Sequence, residues 1–288
     1  SDARPAARGR RRLNAWCVGF AGAVTLAVAG AVRLQLRATS TWRWWAIGAF
    51  ATGWLLAVTA VAWPLDDLST RGSLSTHVVQ HIVLGDLAAP LLLIGLPPAV
   101  GSLLDTWYRR ALSGASRRAH ATRLALSPLG ALVVWSLVTY IWLVPPVHRL
   151  AVDAGLPHVL DHVSFLVLGM LVWLAAFDVR RGLEVRDWAS LKAALVRCDL
   201  PWWARHAYAM VSRVAMLPAV ALLWLAPTAA YYLTSEPPPG ALGQREDQVR
   251  AASLMLGFEI LLSGLAVVLA FIWVSVSEGR ARDRERGA

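Results

Sequence analysis

Residues 77–98 read HVVQHIVLGDLAAPLLLIGLPP. This is about the length of apolar chain that crosses a bilayer, yet it opens on two histidines, His77 and His81, four positions apart. On a helix that spacing puts both imidazoles on one face, one turn apart. Asp86 follows deeper in the segment, and Pro90, which has no N–H to donate, is expected to kink the helix. Polar side chains are costly in lipid, so histidines and a carboxylate inside such a segment point to function. Residues 158–173, HVLDHVSFLVLGMLVW, repeat the device with His158 and His162. The rest of the chain reads as the means of bringing these two helices together.

The composition supports a membrane protein. Hydrophobic residues make up 57% of the 288, 15 of them are Trp, and the mean hydropathy is +0.51. A soluble domain sits near half apolar, and here the excess is gathered into long uncharged runs. The formal net charge of +10 invites a nucleic-acid reading. The arginines, however, cluster in the connections between apolar runs, which is the pattern of membrane orientation. No aromatic-interleaved basic patch accompanies them, and nucleic acid is excluded as a partner. Two cysteines, Cys17 and Cys198, make no disulfide framework. Arg8 to Arg12 resemble the basic start of a signal peptide, but the apolar run behind them is too long.

Seven apolar segments can be drawn, at 14–36, 44–64, 75–98, 124–144, 157–177, 206–234 and 250–276. The expected fold is all-α: a polytopic membrane helix bundle of about seven transmembrane helices. It forms a single integral membrane domain over 1–288, with a basic N-terminal tail at 1–13 and a charged C-terminal tail at 277–288. Along an alternating seven-helix path, the loops near 37, 117 and 186 together with the C-terminal tail collect twice as many Lys and Arg as the opposite side. That side is expected to be cytoplasmic, which places the N-terminus outside and the C-terminus inside. The arginines at 8–12 pull the other way and are outweighed. Both histidine pairs then open their helices from the outer side. His148 lies in the loop before His158, Tyr231 and Tyr232 close the sixth segment there, and Asp247 and Gln248 open the seventh.

Neutral imidazole suits copper, zinc, iron and nickel, and an i,i+4 pair can grip one ion from a single helix. The candidate metal ligands are therefore His77, His81, His158 and His162, forming one shared site or two smaller ones. The alternative is that the histidines only hydrogen-bond across helices, as polar residues in bundles do. Gln80 and Asp161 each precede the second histidine of a pair. Asp161 can accept the N–H of a ligating ring and fix its tautomer, or both residues simply face interfacial water. Asp86 needs a partner or a proton. Arg213 is one conceivable partner, but its depth is not obviously matched, and it is expected instead to snorkel to the inner surface. Glu259 falls within the seventh segment as a proton acceptor or an interhelical bridge. Met170 and Met255 are soft donors that can supplement a cuprous site, although single Met residues on apolar helices more often pack.

These residues resemble a known family. HVVQHIVLGDLAAPLLLIGLPP, HVLDHVSFLVLGMLVW and DQVRAASLMLGFEILLSG (247–264) are similar to the signature segments of the CtaG family of multi-helix membrane proteins. The similarity runs from the second helix to the seventh and carries onto His77, Gln80, His81, Pro90, His158, His162, Asp247 and Gln248. It departs at Ala89–Pro90, where the family commonly has paired prolines, and at Ala251–Ala252, where Ala-Gly is common. The resemblance implies an assembly factor, not an enzyme, for caa-type cytochrome c oxidase. It also implies a multi-pass protein of the bacterial plasma membrane that supplies copper to the oxidase, with the catalytic subunit as partner. The residues taken alone leave two other readings open: a haem-binding electron-transfer protein with bis-histidine ligation, and a small-ion or metal transporter.

Overall fold

The computed structural model describes residues 4–38, 41–62, 65–70, 73–112, 116–153, 155–177, 202–227, 231 and 243–286. Among them every regular element is helical. Cys198, Trp63, Arg71, Tyr232 and the inner connection counted around Arg186 lie outside the described residues.

The chain opens with α1 (Arg4–Leu36), α2 (Trp44–Ala60) and the short α3 (Leu65–Thr70). Helix α1 takes in most of the expected basic tail, whose Ala and Arg are good helix formers. Next come α4 (Leu74–Ile82), a π-helical turn (Val83–Ala88) and α5 (Ala89–Ile94), which together make one continuous span. Helices α6 (Pro98–Leu112), α7 (Arg117–Leu126), α8 (Pro128–Leu143), α9 (Pro145–Asp153) and α10 (Gly155–Phe177) follow. The last three are α11 (Trp202–Val214), α12 (Leu217–Leu225) and α13 (Gln244–Arg286).

Among the described residues, five helical stretches are long and apolar enough to cross a bilayer: Val18–Leu36, Leu74–Ile94, Gly155–Ala176, Ala204–Leu225 and Gln244–Val268. A sixth is counted if α8 and α9, bent by 78° at Val144, form one span. The remaining apolar segment of the expected seven, α2, has 17 residues, about 25 Å at 1.5 Å per residue. The bundle is inverted relative to a soluble one. Leu137, Ile141, Leu160, Val167, Ile260 and Leu261 are exposed, as a lipid-facing surface requires, while His77, Gln80, His158, Asp161, His162 and Gln248 are fully buried.

Local chemistry sets the helix ends around the histidines. Ser73 caps α4 by accepting the Thr76 N–H at 3.3 Å, and Ser127 caps α8 through the Gly130 N–H at 3.0 Å, with Pro128 in the first turn. Pro90 was expected to kink its helix. A π-turn sits just before it: Ala89 donates its N–H to Leu84 O, one residue further back than in an α-helix. This leaves Gly85 O without its helical donor, and Trp173 of α10 fills the vacancy with its indole N–H at 3.0 Å. Gly169 allows that approach, because a Cβ there would lie 2.7 Å from Gly85 O. Small residues at such crossings let helix backbones touch. The turn also shifts the residues around it about the helix axis relative to a regular α-helix.

Candidate functional site

Helices α4 and α10 each carry a histidine pair in the first two turns, and the two pairs meet inside one end of the bundle. The paired rings lie 4.4 Å apart on each helix, between centroids. Across the helices, His77 lies 5.5 Å from His162 and 5.7 Å from His158, and His81 lies 5.7 Å from His162. Phe165 closes the apolar side, stacked on His81 at 3.8 Å. His148, from α9, lies 5.2 Å from His77 and 5.6 Å from Tyr231, whose hydroxyl donates to Leu143 O at 2.9 Å. Five imidazoles from three helices thus share one buried space.

Asp161 sits among them. Its Oδ2 lies 2.9 Å from Nε2 of both His77 and His81, so it fixes both rings from the opposite helix. The sequence suggested this for one ring; the structure places the carboxylate against two. His158 turns elsewhere, with its Nε2 3.0 Å from Asp66 Oδ1 in α3. Asp66 escaped the sequence reading because Asp66–Asp67, in a short connection after Trp63–Pro64, resembles a solvated turn. The ligand atoms that come together are those of His77, His81, His162 and Asp161, all within 4.8 Å of one another. His158 adjoins this set and is not part of it.

The set fits a metal ion. Two donors on one first-row ion, each about 2 Å from it, lie at most about 4 Å apart, so the site needs to close by less than 1 Å. Both ring nitrogens of His162, Nδ1 of His77 and Oδ1 of Asp161 are buried and accept or donate no hydrogen bond. Unsatisfied buried polar atoms are costly and rare, and these four belong to the residues whose ligand atoms come together. Three imidazoles and a carboxylate suit a borderline divalent ion.

The supporting residues divide between this site and the scaffold. Gln80 gives its amide to Ala60 O at 2.7 Å, at the end of α2, and Gln248 reaches Leu223 O at 2.6 Å and Ala226 O at 2.8 Å, at the end of α12. Each glutamine supplies a donor to carbonyls that a helix terminus leaves unpaired. Asp247 does the complementary work at the start of α4, taking the Leu74 N–H at 2.6 Å and the Ser75 N–H at 3.3 Å and pairing with the Ser75 hydroxyl. Met255 packs with apolar side chains where the two apolar clusters of the bundle meet. Asp86 is absent from the histidine cluster. Arg213 does not snorkel as expected: it is 2% exposed, pairs with Asp86, and lies 3.4 Å from Glu259. The three side chains therefore lie at a matching depth in the bundle.

Apolar surface outside, buried imidazole and carboxylate inside, and several spans of membrane length define a polytopic membrane protein with a candidate metal centre near one end. Residues 25–277 match the model of the family described as cytochrome c oxidase caa3 assembly factor (Caa3_CtaG), and the chain belongs to that family. No curated protein and no solved structure matches the chain. The resemblance drawn from the histidine and Asp-Gln segments is therefore borne out. As a member of an assembly-factor family, the chain acts on the oxidase as a helper in its maturation.

Proposed function

We propose that the protein matures cytochrome c oxidase by holding copper between α4 and α10 and delivering it to the catalytic subunit, with the site facing outward from the bacterial plasma membrane. His77, His81, His162 and Asp161 are the ligands. His158, held by Asp66, and His148, above His77, line the approach. The observation that carries this reading is His162, a fully buried imidazole with neither nitrogen hydrogen-bonded, inside a set of ligand atoms spanning 4.8 Å. His77, His81 and His158 do hydrogen-bond across helices, to Asp161 and Asp66, as polar glue would; His162 does not, and it is the histidine that speaks for a ligand role. Copper is the cargo here, and the protein's part is binding and release, with no covalent step.

The same packing argues against bis-histidine haem. A porphyrin needs a flat slot between its axial rings, whereas His77 is in contact with the rings of His81, His148, His158 and His162. The test is to isolate the oxidase from cells in which the protein is replaced by His162→Ala or Asp161→Ala. The expected oxidase retains its haem and loses most of its copper. Full copper in the oxidase from both variants would overturn the proposal, and a Soret band in the purified wild-type assembly factor would restore the haem reading.

A further inference from the structure

A second polar cluster lies deeper in the bundle, apart from the histidines. Asp247 binds the first residues of α4, so α4 and α13 start at one level and run in the same direction. Asp86 lies 12 residues past Leu74, and Glu259 lies 12 residues past Asp247. Both are therefore about three turns down their helices, roughly 18 Å for Glu259 at 1.5 Å per residue and slightly less for Asp86 across the π-turn, near the middle of a hydrocarbon layer roughly 30 Å thick. Arg213 meets them there from the middle of the span Ala204–Leu225. Exposure is 7% for Asp86, 2% for Arg213 and 5% for Glu259.

The charges in this cluster do not balance if all three residues are ionised. The guanidinium pairs closely with Asp86, donates from Nε to Ser212 Oγ at 3.3 Å, and rests against the Trp173 ring at 5.4 Å. Glu259 has the weaker share: its Oε2 is 3.4 Å from Arg213 Nε and makes no hydrogen bond. The other titratable group beside Arg213 is Tyr208, and α12, which also packs on α13, contributes only apolar side chains. Two carboxylates against one guanidinium leave a net negative charge at the bilayer centre, and an uncompensated buried charge is strongly disfavoured. A proton on one carboxyl removes it.

We propose that Asp86, Arg213 and Glu259 form a proton-binding site in the membrane core, with the proton held on Glu259. The assignment stands independently of any metal at the histidines. Asp86 remains the anion that Arg213 requires, and Glu259 exchanges its proton as the acid of the site. Removing the Asp86 charge makes Glu259 the only anion available to Arg213, so Glu259 then gives up its proton.

Infrared spectroscopy of the full chain in lipid nanodiscs at neutral pH tests this. The wild type is expected to show a protonated-carboxyl C=O band that shifts in heavy water. Glu259→Gln should remove that band while leaving the unfolding midpoint near wild type, because the amide is a neutral isostere of the acid. Asp86→Asn should also lose the band with Glu259 still present. If Asp86→Asn does not fold, Glu259→Gln alone decides. A band that survives Glu259→Gln or Asp86→Asn, or the lack of one in the wild type, would overturn the assignment. So would collapse of the fold in Glu259→Gln.

Discussion

Replacing Asp247 by Ala tests how the α4 histidines are held in place. The carboxylate is 5% exposed and accepts the Leu74 N–H at 2.6 Å, the Ser75 N–H at 3.3 Å and the Ser75 hydroxyl, so one side chain of α13 closes the first turn of α4. A hydrogen bond to a charged acceptor is worth about 1.5–3 kcal/mol. A negative charge at a helix N-terminus adds up to about 2 kcal/mol when partly buried. The 3.3 Å bond counts for less than the short one, and Ser73 remains to cap Thr76. The expected loss is therefore about 3 kcal/mol in the free energy of unfolding, measured by denaturant titration in mixed micelles with helicity as the signal. The loss should be local in origin: the Leu74 and Ser75 amides should exchange with solvent faster than those of α10. His77 lies three residues past Leu74, so the same variant should also bind metal more weakly. An Asp247→Ala protein within about 0.5 kcal/mol of wild type, the range of an inconsequential surface change, with both amides still protected, would refute the trans-capping argument.

Two further predictions concern the scaffold. Gly169→Ala should cost about 1–3 kcal/mol, because the new Cβ would sit 2.7 Å from Gly85 O and 2.8 Å from Gly85 Cα, backbone atoms that cannot swing aside; unchanged stability in the same denaturant titration would contradict the close crossing. For orientation, Leu150→Cys, at an exposed position of α9 in a background lacking Cys17 and Cys198, should react with an impermeant thiol reagent in intact cells, whereas Arg284→Cys should not. The reverse pattern would invert the outward-facing assignment.

The parts of the site that follow helical periodicity were readable from the chain alone. An i,i+4 pair of histidines in an apolar run has one geometric meaning, and two such runs in a bundle have good reason to face each other. What escaped depends on register between distant segments. Gln80 and Gln248 looked like companions of the histidines, but their targets are carbonyls at helix ends 20 and 25 positions away. No local pattern marks such a pairing. Pro90 announces a missing N–H, but the π-turn before it, with Ala89 bonded to Leu84 O, has no signal of its own in the chain. Asp86 pairs with Arg213, which the sequence had offered as conceivable and set aside because their depths were not obviously matched. Asp66 was hidden for a different reason: a carboxylate in a short polar connection is ordinarily solvated, and only the packing of α3 against α9 and α4 brings it to His158.

The buried histidine–carboxylate cluster is a copper site only if the purified protein binds copper through it. The direct measurement is copper stoichiometry, by elemental analysis after loading and dialysis, on purified wild type, His81→Ala, His162→Ala and the double variant, with an unfolding curve for each. One ion shared by α4 and α10 predicts close to one copper per wild-type chain. Each single variant should then lose most of it while staying folded, and the double change should add little, because residues that act as a unit are non-additive. Wild type without bound copper, or single variants that keep their copper and lose stability instead, would contradict the claim and leave the histidines as interhelical hydrogen-bonding groups.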